Sequence, residues 1–394
     1  MNILQDTYYI GVNDHEVDLF EGQYLVPDGI SYNSYVIVDE KVAVLDTVAT
    51  SFTEEWLSKL EDALYGRMVD YLVVHHMEPD HSANIANFLK KYPTATVVAT
   101  AKAFQFMEQF FGAHFVGLDC GRLVVAEGDT LSLGSHTFQF YTAPMVHWPE
   151  VMVTYDDATK ALFSADGFGT FGVPASILSD VNTKGTWANE ARRYYIGIVG
   201  KYGPQVQMLL KKLTTLDVAA ICPLHGPVLT EDLGHYMDLY KTWSSYTPEE
   251  DGVVIAYASI YGNTASCAEQ LCKQLTSLGM KNVKLYDLAR AEFSAAVADA
   301  FRYSKLVLAS ATYNADLFPP MQHFISYLKE RNFQNHKVAF IENGTWAPTA
   351  AKLMKERMSV CKNLEFCETT VTINSKMCDT DVAKLETLAG ELME

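Results

Sequence analysis

The sequence contains no CxxC pair. Its seven cysteines, Cys120, Cys222, Cys267, Cys272, Cys361, Cys367 and Cys378, are odd in number and scattered. That excludes a disulfide framework and a thiolate zinc or iron–sulfur knuckle, and leaves small buried thiols as their reading. Positive charge is also scarce: 30 Lys and Arg stand against 48 Asp and Glu, a formal charge of −18. Such a chain repels a phosphate backbone and has no counterion release to gain, so nucleic acid is not an expected partner. No apolar run approaches a bilayer span, and the opening "MNILQDTYYIGVNDHE" lacks a basic stretch followed by an apolar core. The expected location is therefore the cytoplasm, without membrane contact. Internal repeats and low-complexity segments are missing too. What is present is globular composition, 49% apolar and 20% charged, on a 394-residue chain too long for one ordinary domain.

The chain has two halves with different patterning. Up to about residue 245, short strand-like runs ("YNSYVIVD", "KVAVLDT", "YLVVHH", "ATVVAT", "LVVAEGDTLSL", "HTFQFYTA", "VMVTY", "ALFSADG") are interleaved with a few helical stretches. This is the pattern of an α/β sandwich with mixed sheets. Around "SSYTPEEDG", residues 244–252, apolar periodicity stops, as in an exposed interdomain linker. Beyond it, five strand-like runs, the first of them buried, alternate with five helical stretches, which predicts a parallel, doubly wound sheet with ligands at the carboxyl ends of its strands. The expected domains are 1–248 and 252–394.

One stretch of the first half is dense in groups that bind cations: "HHMEPDHS", residues 75–82, directly after an apolar strand. His76, Glu78 and Asp80 are spaced to turn alternate side chains toward one point, and His81 opens a helical stretch and adds a fourth donor. One short segment cannot fill the shells of two ions, each needing four or more ligands. Three more candidates end apolar runs beside Gly or Pro: His147 in "PMVHWPE", Asp166 in "LFSADGFG" and His225 in "ICPLHGP". Singly, a histidine at a strand end is more often a structural residue, and Asp before Gly is usually a turn. Their joint occurrence with the HxExDH cluster points to a dinuclear metal site. The side chain of His75 alternates to the opposite face from that of His76 and belongs to the supporting structure.

The second half opens with a strand running into "ASIYGNTASCAEQL". Ser259, Ile260, Tyr261, Gly262, Asn263 and Thr264 make a hydroxyl-rich loop at a helix start, where free backbone N–H groups hold a phosphate. The Lys of a nucleoside-triphosphate loop is missing, so the phosphate is held by neutral donors. Two later strand ends, Ser310, Ala311, Thr312, Tyr313 and Asn314, and Asn343, Gly344, Thr345, Trp346 and Ala347, each set an aromatic among small residues. Tyr313 and Trp346 are placed to line the two sides of a flat ring.

These motifs together resemble the flavodiiron protein family. The fold this implies is α/β: an N-terminal metallo-β-lactamase-like αββα sandwich followed by a flavodoxin-like doubly wound parallel sheet. By resemblance, His76, Glu78 and His147 bind one iron, Asp80, His81 and His225 the other, and Asp166 bridges them. The residue matching His81 does not bind iron in every family member. Metallo-hydrolases of this architecture generally carry H-x-H-x-D-H, and here Glu78 replaces the second histidine. A carboxylate is a harder, anionic ligand that favours iron over zinc. The three loops of the second half look like flavodoxin's phosphate loop and its two isoalloxazine loops, which implies FMN. Tyr195, in "ARRYYIG", is a proton donor beside the irons by resemblance only.

The resemblance implies a two-iron, FMN-dependent oxidoreductase that reduces O₂ to water, NO to N₂O, or both, in a head-to-tail homodimer or a dimer of dimers. Within one chain of that family the flavin lies far from the irons, and the partner's flavin lies close. Electrons come from an external donor, commonly rubredoxin. This sequence reaches Glu394 without CxxC pairs, so the donor is expected to be a separate protein. Two other classes compete. One is a zinc-dependent metallo-hydrolase with an accessory flavodoxin-like domain, against which Glu78 speaks. The other is a flavodoxin-type electron carrier with a vestigial metal domain, against which the complete donor set speaks.

Overall fold

The computed structural model describes residues 1–112, 121–180 and 183–394. The chain divides into two compact units, Met1–Tyr195 with Pro204–Lys241, and Ile196–Gly203 with Thr242–Glu394. The stretch expected to be an exposed linker is mostly structured. Ser244 ends the helix Leu233–Ser244, Ser244 and Tyr246 are buried, and a strand starts at Glu250.

The first unit is built on two mixed sheets. Seven strands, Asn2–Leu4, Thr7–Tyr9, Tyr35–Val38, Val42–Leu45, Tyr71–Val73, Thr96–Ala99 and Arg122–Val124, lie side by side in chain order. Pairing is antiparallel as far as Val42–Leu45 and parallel beyond it. The second sheet runs Thr130–Ser132, Thr137–Thr142, Met152–Asp156, Ala161–Phe163, Ala220–Cys222, with only the last pair parallel among the described residues. One apolar core joins the sheets, with Tyr35, Ile37, Leu45, Val73 and Val98 from the first packed with Phe138, Phe140, Met152, Phe163 and Cys222 from the second.

The run "LVVAEGDTLSL", expected as one strand, is two, and they belong to different sheets. Gly128 takes a left-handed φ of +82°, and Asp129 Oδ2 accepts from the Ala126 N–H at 2.8 Å, closing a turn between them.

The second unit is a five-stranded parallel sheet in the order Val283–Asp287, Glu250–Ala258, Tyr303–Tyr313, Lys337–Asn343, Glu365–Ile373. Numbered along the chain this is 2-1-3-4-5, the flavodoxin-like winding whose ligand crevice opens where the order reverses. Five helices alternate with the strands, at Asn263–Ser277, Phe293–Arg302, Pro319–Glu330, Ala350–Met358 and Asp379–Met393. A two-residue strand, Asp316–Leu317, folds back antiparallel on the end of Tyr303–Tyr313, an addition that the motif "SATYNADLFPP" did not announce.

No disulfide forms among the described residues. Cys222, Cys267 and Cys367 are buried, Cys272 and Cys361 are half-buried and Cys378 is exposed, while Cys120 lies outside those residues. No helix among the described residues is long and apolar enough to cross a membrane.

Candidate functional site

All seven metal candidates meet at one edge of the first unit, each on a segment that follows a strand. The chain leaves Tyr71–Val73 extended through His76 and Glu78, then turns into a short helix, Pro79–Ser82, with Pro at its first position. This differs from the expected convergence of alternate side chains at 76, 78 and 80. The extended part directs His76 and Glu78 to one point, and the helical turn carries Asp80 and His81 to another.

Two donor groups result, each with ligand atoms mutually within 4.8 Å: His76, Glu78, His147 and Asp166, and Asp80, His81 and His225. In the first, His147 Nε2 lies 3.1 Å from Glu78 Oε2 and 3.1 Å from Asp166 Oδ2, and His76 Nε2 lies 3.2 Å from Glu78 Oε2. In the second, His81 Nε2 is 3.2 Å and His225 Nε2 3.4 Å from Asp80 Oδ2. Asp166 faces both groups, with Oδ2 toward His76 and His147 and Oδ1 3.4 Å from His81 Nε2 and 3.8 Å from His225 Nε2. One carboxylate offering an oxygen to each group is the arrangement of a bridging ligand.

The cluster fits cations better than it fits itself. Both Asp80 carboxylate oxygens and Asp166 Oδ1 are buried and accept no hydrogen bond among the described residues. His81 Nε2 and His225 Nε2 face each other at 3.0 Å, so their lone pairs repel unless a proton or a metal lies between them. Three carboxylates and four imidazoles without a thiolate make a donor set suited to iron.

Behind the donors stands a ring of buried partners that the motifs did not reveal. His76 Nδ1 lies 2.8 Å from Glu150 Oε1, which also accepts from the Met77 N–H at 2.9 Å. His75 supports the segment as expected, with Nδ1 2.5 Å from Asp46 Oδ2 and Nε2 2.7 Å from Thr154 Oγ1. His225 Nδ1 lies 2.7 Å from the Ser31 carbonyl. Asn33 Nδ2 donates to the Pro223 and Gly226 carbonyls at 2.8 Å each, and Tyr35 Oη donates to Pro223 O at 2.6 Å. Gly226 has φ +82° and touches Thr170 so closely that no Cβ fits, which holds the turn after His225. His81 Nδ1 has no hydrogen-bond partner among the described residues.

Burial works against charge at His81 and His147, yet the carboxylates beside them win. Asp80 and Asp166 hold the His81 ring up to about 10, and Asp166 and Glu78 hold His147 up to about 9. For the carboxylates burial works the other way, and the histidines outweigh it: Asp80 and Asp166 both lie below the usual range.

Without metal, the rings of His81 and His147 are therefore protonated at neutral pH. Their folded values exceed the unfolded value of about 6.5, so this contribution to stability is complete below about pH 6.5. It is lost as pH rises through about 9 to 10. The thermal midpoint of the metal-free chain is expected to fall from pH 7 to pH 10 relative to that of the metal-loaded chain. Metal uptake at pH 7 is expected to release protons, readable with an indicator dye in weak buffer.

The two adjacent tyrosines are placed differently from the expectation. Tyr194 is the residue beside the cluster: its ring lies 5.5 Å from that of His225, and its hydroxyl is buried with no hydrogen-bond partner among the described residues. Tyr195 packs its ring 5.1 Å from that of Tyr240. The helix Thr183–Tyr194 passes here into a wider π turn, Tyr195–Val199, so the direction of each ring depends on where the helix changes.

In the second unit a cleft of about 680 Å³ opens at the carboxyl ends of the strands. Ser259, Ile260, Tyr261, Asn263 and Thr264 line it with Ala311, Thr312, Tyr313 and Asn314, and with Asn343, Gly344, Thr345, Trp346 and Ala347. Two expected residues have other roles. Gly262 supplies the left-handed turn, φ +91°, that starts the helix Asn263–Ser277, and Ser310 is buried with its hydroxyl on Ala311 O. Ala315, Thr349 and Ser375 also line the cleft and were not anticipated. Thr312 Oγ1 accepts from the Thr349 and Ala350 N–H groups, and Glu342 takes the Ala351 N–H and the Thr372 hydroxyl, fixing the loop between them. Tyr261 is 92%, Trp346 82% and Tyr313 44% exposed. Aromatics so bare around a cleft that starts a helix fit a flat ring carrying a phosphate.

A two-sheet sandwich with a dinuclear donor set, followed by a flavodoxin-like sheet, defines a class of two-domain metal and flavin proteins. Comparison with known proteins gives the family. Residues 30–226, half of the chain, match the family model described as ODP family beta lactamase, and residues 255–362 match that of flavodoxin. The chain belongs to that beta-lactamase family, in its flavodiiron branch. A nitric oxide reductase of Moorella thermoacetica is 29% identical over 91% of this chain and 90% of its own length. Among solved structures, the rubredoxin oxygen:oxidoreductase from the anaerobe Desulfovibrio gigas superposes with a TM-score of 0.92 at 27% identity, covering 100% of this chain and 97% of that one. The flavodiiron protein of Giardia intestinalis gives 0.92 at 25% identity, covering 99% and 96%.

Proposed function

We propose that this chain is a flavodiiron oxidoreductase that reduces O₂ to water, NO to N₂O, or both. The observation that carries the reading is Asp166 set between two buried donor groups, on the same chain as a flavodoxin cleft. His76, Glu78 and His147 hold one iron, Asp80, His81 and His225 the other, and Asp166 joins them. The cleft residues hold FMN, with the phosphate at the start of the helix Asn263–Ser277 and the ring between Tyr313 and Trp346.

When bound, reduced FMN supplies two electrons and two ferrous ions one each, which meets the four that O₂ reduction to two waters requires and exceeds the two needed by a pair of NO molecules. The protein's part is to hold the donors in place, keep the cluster buried and present the Tyr194 hydroxyl beside it. Glu78 sets this site apart from zinc hydrolases, because its carboxylate lies among the donors of the first group and favours iron.

The reading extends to a cytoplasmic homodimer, head to tail or a dimer of dimers, and to a separate electron donor of the rubredoxin kind. The decisive experiment is anaerobic stopped-flow mixing of the fully reduced, iron-loaded protein with O₂ and with NO, following flavin and iron bands together. Rapid oxidation by at least one of the gases is expected. A protein that is inert to both, or that carries zinc without iron and hydrolyses thioesters, would overturn the reading.

A further inference from the structure

The two donor groups differ in what stands behind their histidines, and the difference centres on Glu150. This carboxylate is 1% exposed, on the segment that also carries His147. Its Oε1 takes the His76 Nδ1 hydrogen and the Met77 N–H, and its Oε2 is buried with no partner among the described residues. Thr100 Oγ1 donates to the Glu150 carbonyl at 3.0 Å, fixing the backbone there. The Glu150 carboxylate thus serves His76 and the backbone N–H of the residue that follows it. In the other group the Nδ1 of His225 meets only the neutral Ser31 carbonyl, and that of His81 meets nothing among the described residues.

An imidazole that gives its outer N–H to a buried carboxylate is held in one tautomer and one orientation, and its inner nitrogen becomes a stronger electron donor. A carbonyl does this less, and an unpartnered nitrogen not at all. Because Asp166 offers an oxygen to each group, each position counts four donor residues, and the partners behind the histidines are what differ.

We propose that Glu150 is a positioning residue that makes the two metal positions unequal, so that the position formed by His76, Glu78, His147 and Asp166 fills first and the Asp80, His81 and His225 position fills second. The inference rests on the two-metal reading above and adds an order to it. Glu150 touches no metal; it acts through His76. The second position is then the one that empties first under chelation, and the half-loaded protein carries its ion at the Glu150-backed position.

The test is stepwise addition of Co²⁺ to the metal-free full-length chain, read by calorimetry and by visible absorption of the bound ion. The parent chain should take up two equivalents in two steps, the first at least about tenfold tighter. Outer partners of metal-binding histidines are worth about 10- to 100-fold in affinity, so Glu150→Ala should weaken the first step by that amount and leave the second. Glu150→Gln keeps an oxygen for His76 and Met77 without the charge, and should fall between; it also carries the test if Glu150→Ala fails to fold. Asp80→Ala should abolish the second step and spare the first, with its spectrum. If the parent fills both positions in one step, if Asp80→Ala removes the tight step, or if both Glu150 variants bind like the parent, the ordering is wrong although the two-metal site stands. If the parent chain takes up no Co²⁺, the two-metal reading falls and the ordering with it.

Discussion

Replacing Asp166 with Asn is expected to leave a folded chain that retains fewer than two irons and consumes O₂ and NO at least about 100-fold more slowly. The expectation follows from geometry. Asp166 Oδ2 lies 3.1 Å from His147 Nε2, and Oδ1 lies 3.4 Å from His81 Nε2. Asn keeps this shape but turns one of the two acceptors into an NH₂ donor, so whichever way the amide lies, one metal position faces hydrogens. Outer partners alone change metal affinity about 10- to 100-fold, and a shared inner ligand should exceed that. The variant also removes a charge from a buried cluster in which His81 and His147 are held protonated when metal is absent. Breaking a buried pair costs about 3–5 kcal/mol, so the metal-free variant should melt well below the metal-free parent at pH 7. Iron analysis, gas consumption and a melting curve check the three parts. Two irons and parental rates in the variant would remove Asp166 from the bridging position.

How much of this was legible in the sequence depends on how each feature is encoded. The residues that come together were legible because His76, Glu78, Asp80 and His81 crowd into one short stretch and His147, Asp166 and His225 each end an apolar run. Their partners were not: Glu150, Asn33, Tyr35 and Ser31 are ordinary polar residues whose role exists only once distant strands are paired. Asn33 meets Pro223 across 190 positions of chain, and no spacing rule reaches that far. That Tyr194, rather than the Tyr195 named by resemblance, sets its ring beside His225 was not legible for a related reason. Neighbouring residues on a helix point about 100° apart, and which of them faces the cluster is decided by packing and by the π turn that follows.

The flavodoxin half was the most readable, because its three central strands, Glu250–Ala258, Tyr303–Tyr313 and Lys337–Asn343, carry unbroken buried apolar runs and its helices have an apolar stripe. The first half was harder at its start. Thr7–Tyr9, Val12–Asp14, Leu19–Phe20 and Tyr24–Leu25 are two or three residues long, too short for any alternation to show. Yet this region matters to the site, since Phe20 sets its ring 5.4 Å from that of His225 and 5.8 Å from that of Phe171. Segments without periodicity here form one wall of the cluster.

Trp346→Ala is expected to weaken FMN binding by about 10- to 100-fold while leaving the fold of the flavin-free protein unchanged. Trp346 is 82% exposed, so it contributes almost nothing to the core, and surface substitutions of this kind usually stay within about 0.5 kcal/mol. Stacking of an aromatic side chain on a flat heterocycle is worth about 1–3 kcal/mol by comparison with bases, which converts to roughly 5- to 150-fold in affinity. The loop that carries it is held independently: Asn343 Nδ2 donates to Ser375 O at 2.9 Å, Ser375 N–H returns to Asn343 Oδ1 at 3.1 Å, and Thr345 Oγ1 and Ser375 Oγ share a hydrogen bond of 2.7 Å. Removing the indole therefore takes away one wall of the cleft without releasing its frame. Fluorescence quenching of added FMN gives the affinity, and melting of the flavin-free variant gives the control. A variant that binds FMN like the parent would place the isoalloxazine ring elsewhere in the cleft. One that also loses several degrees of melting temperature would mean that the indole is part of the fold, against its exposure.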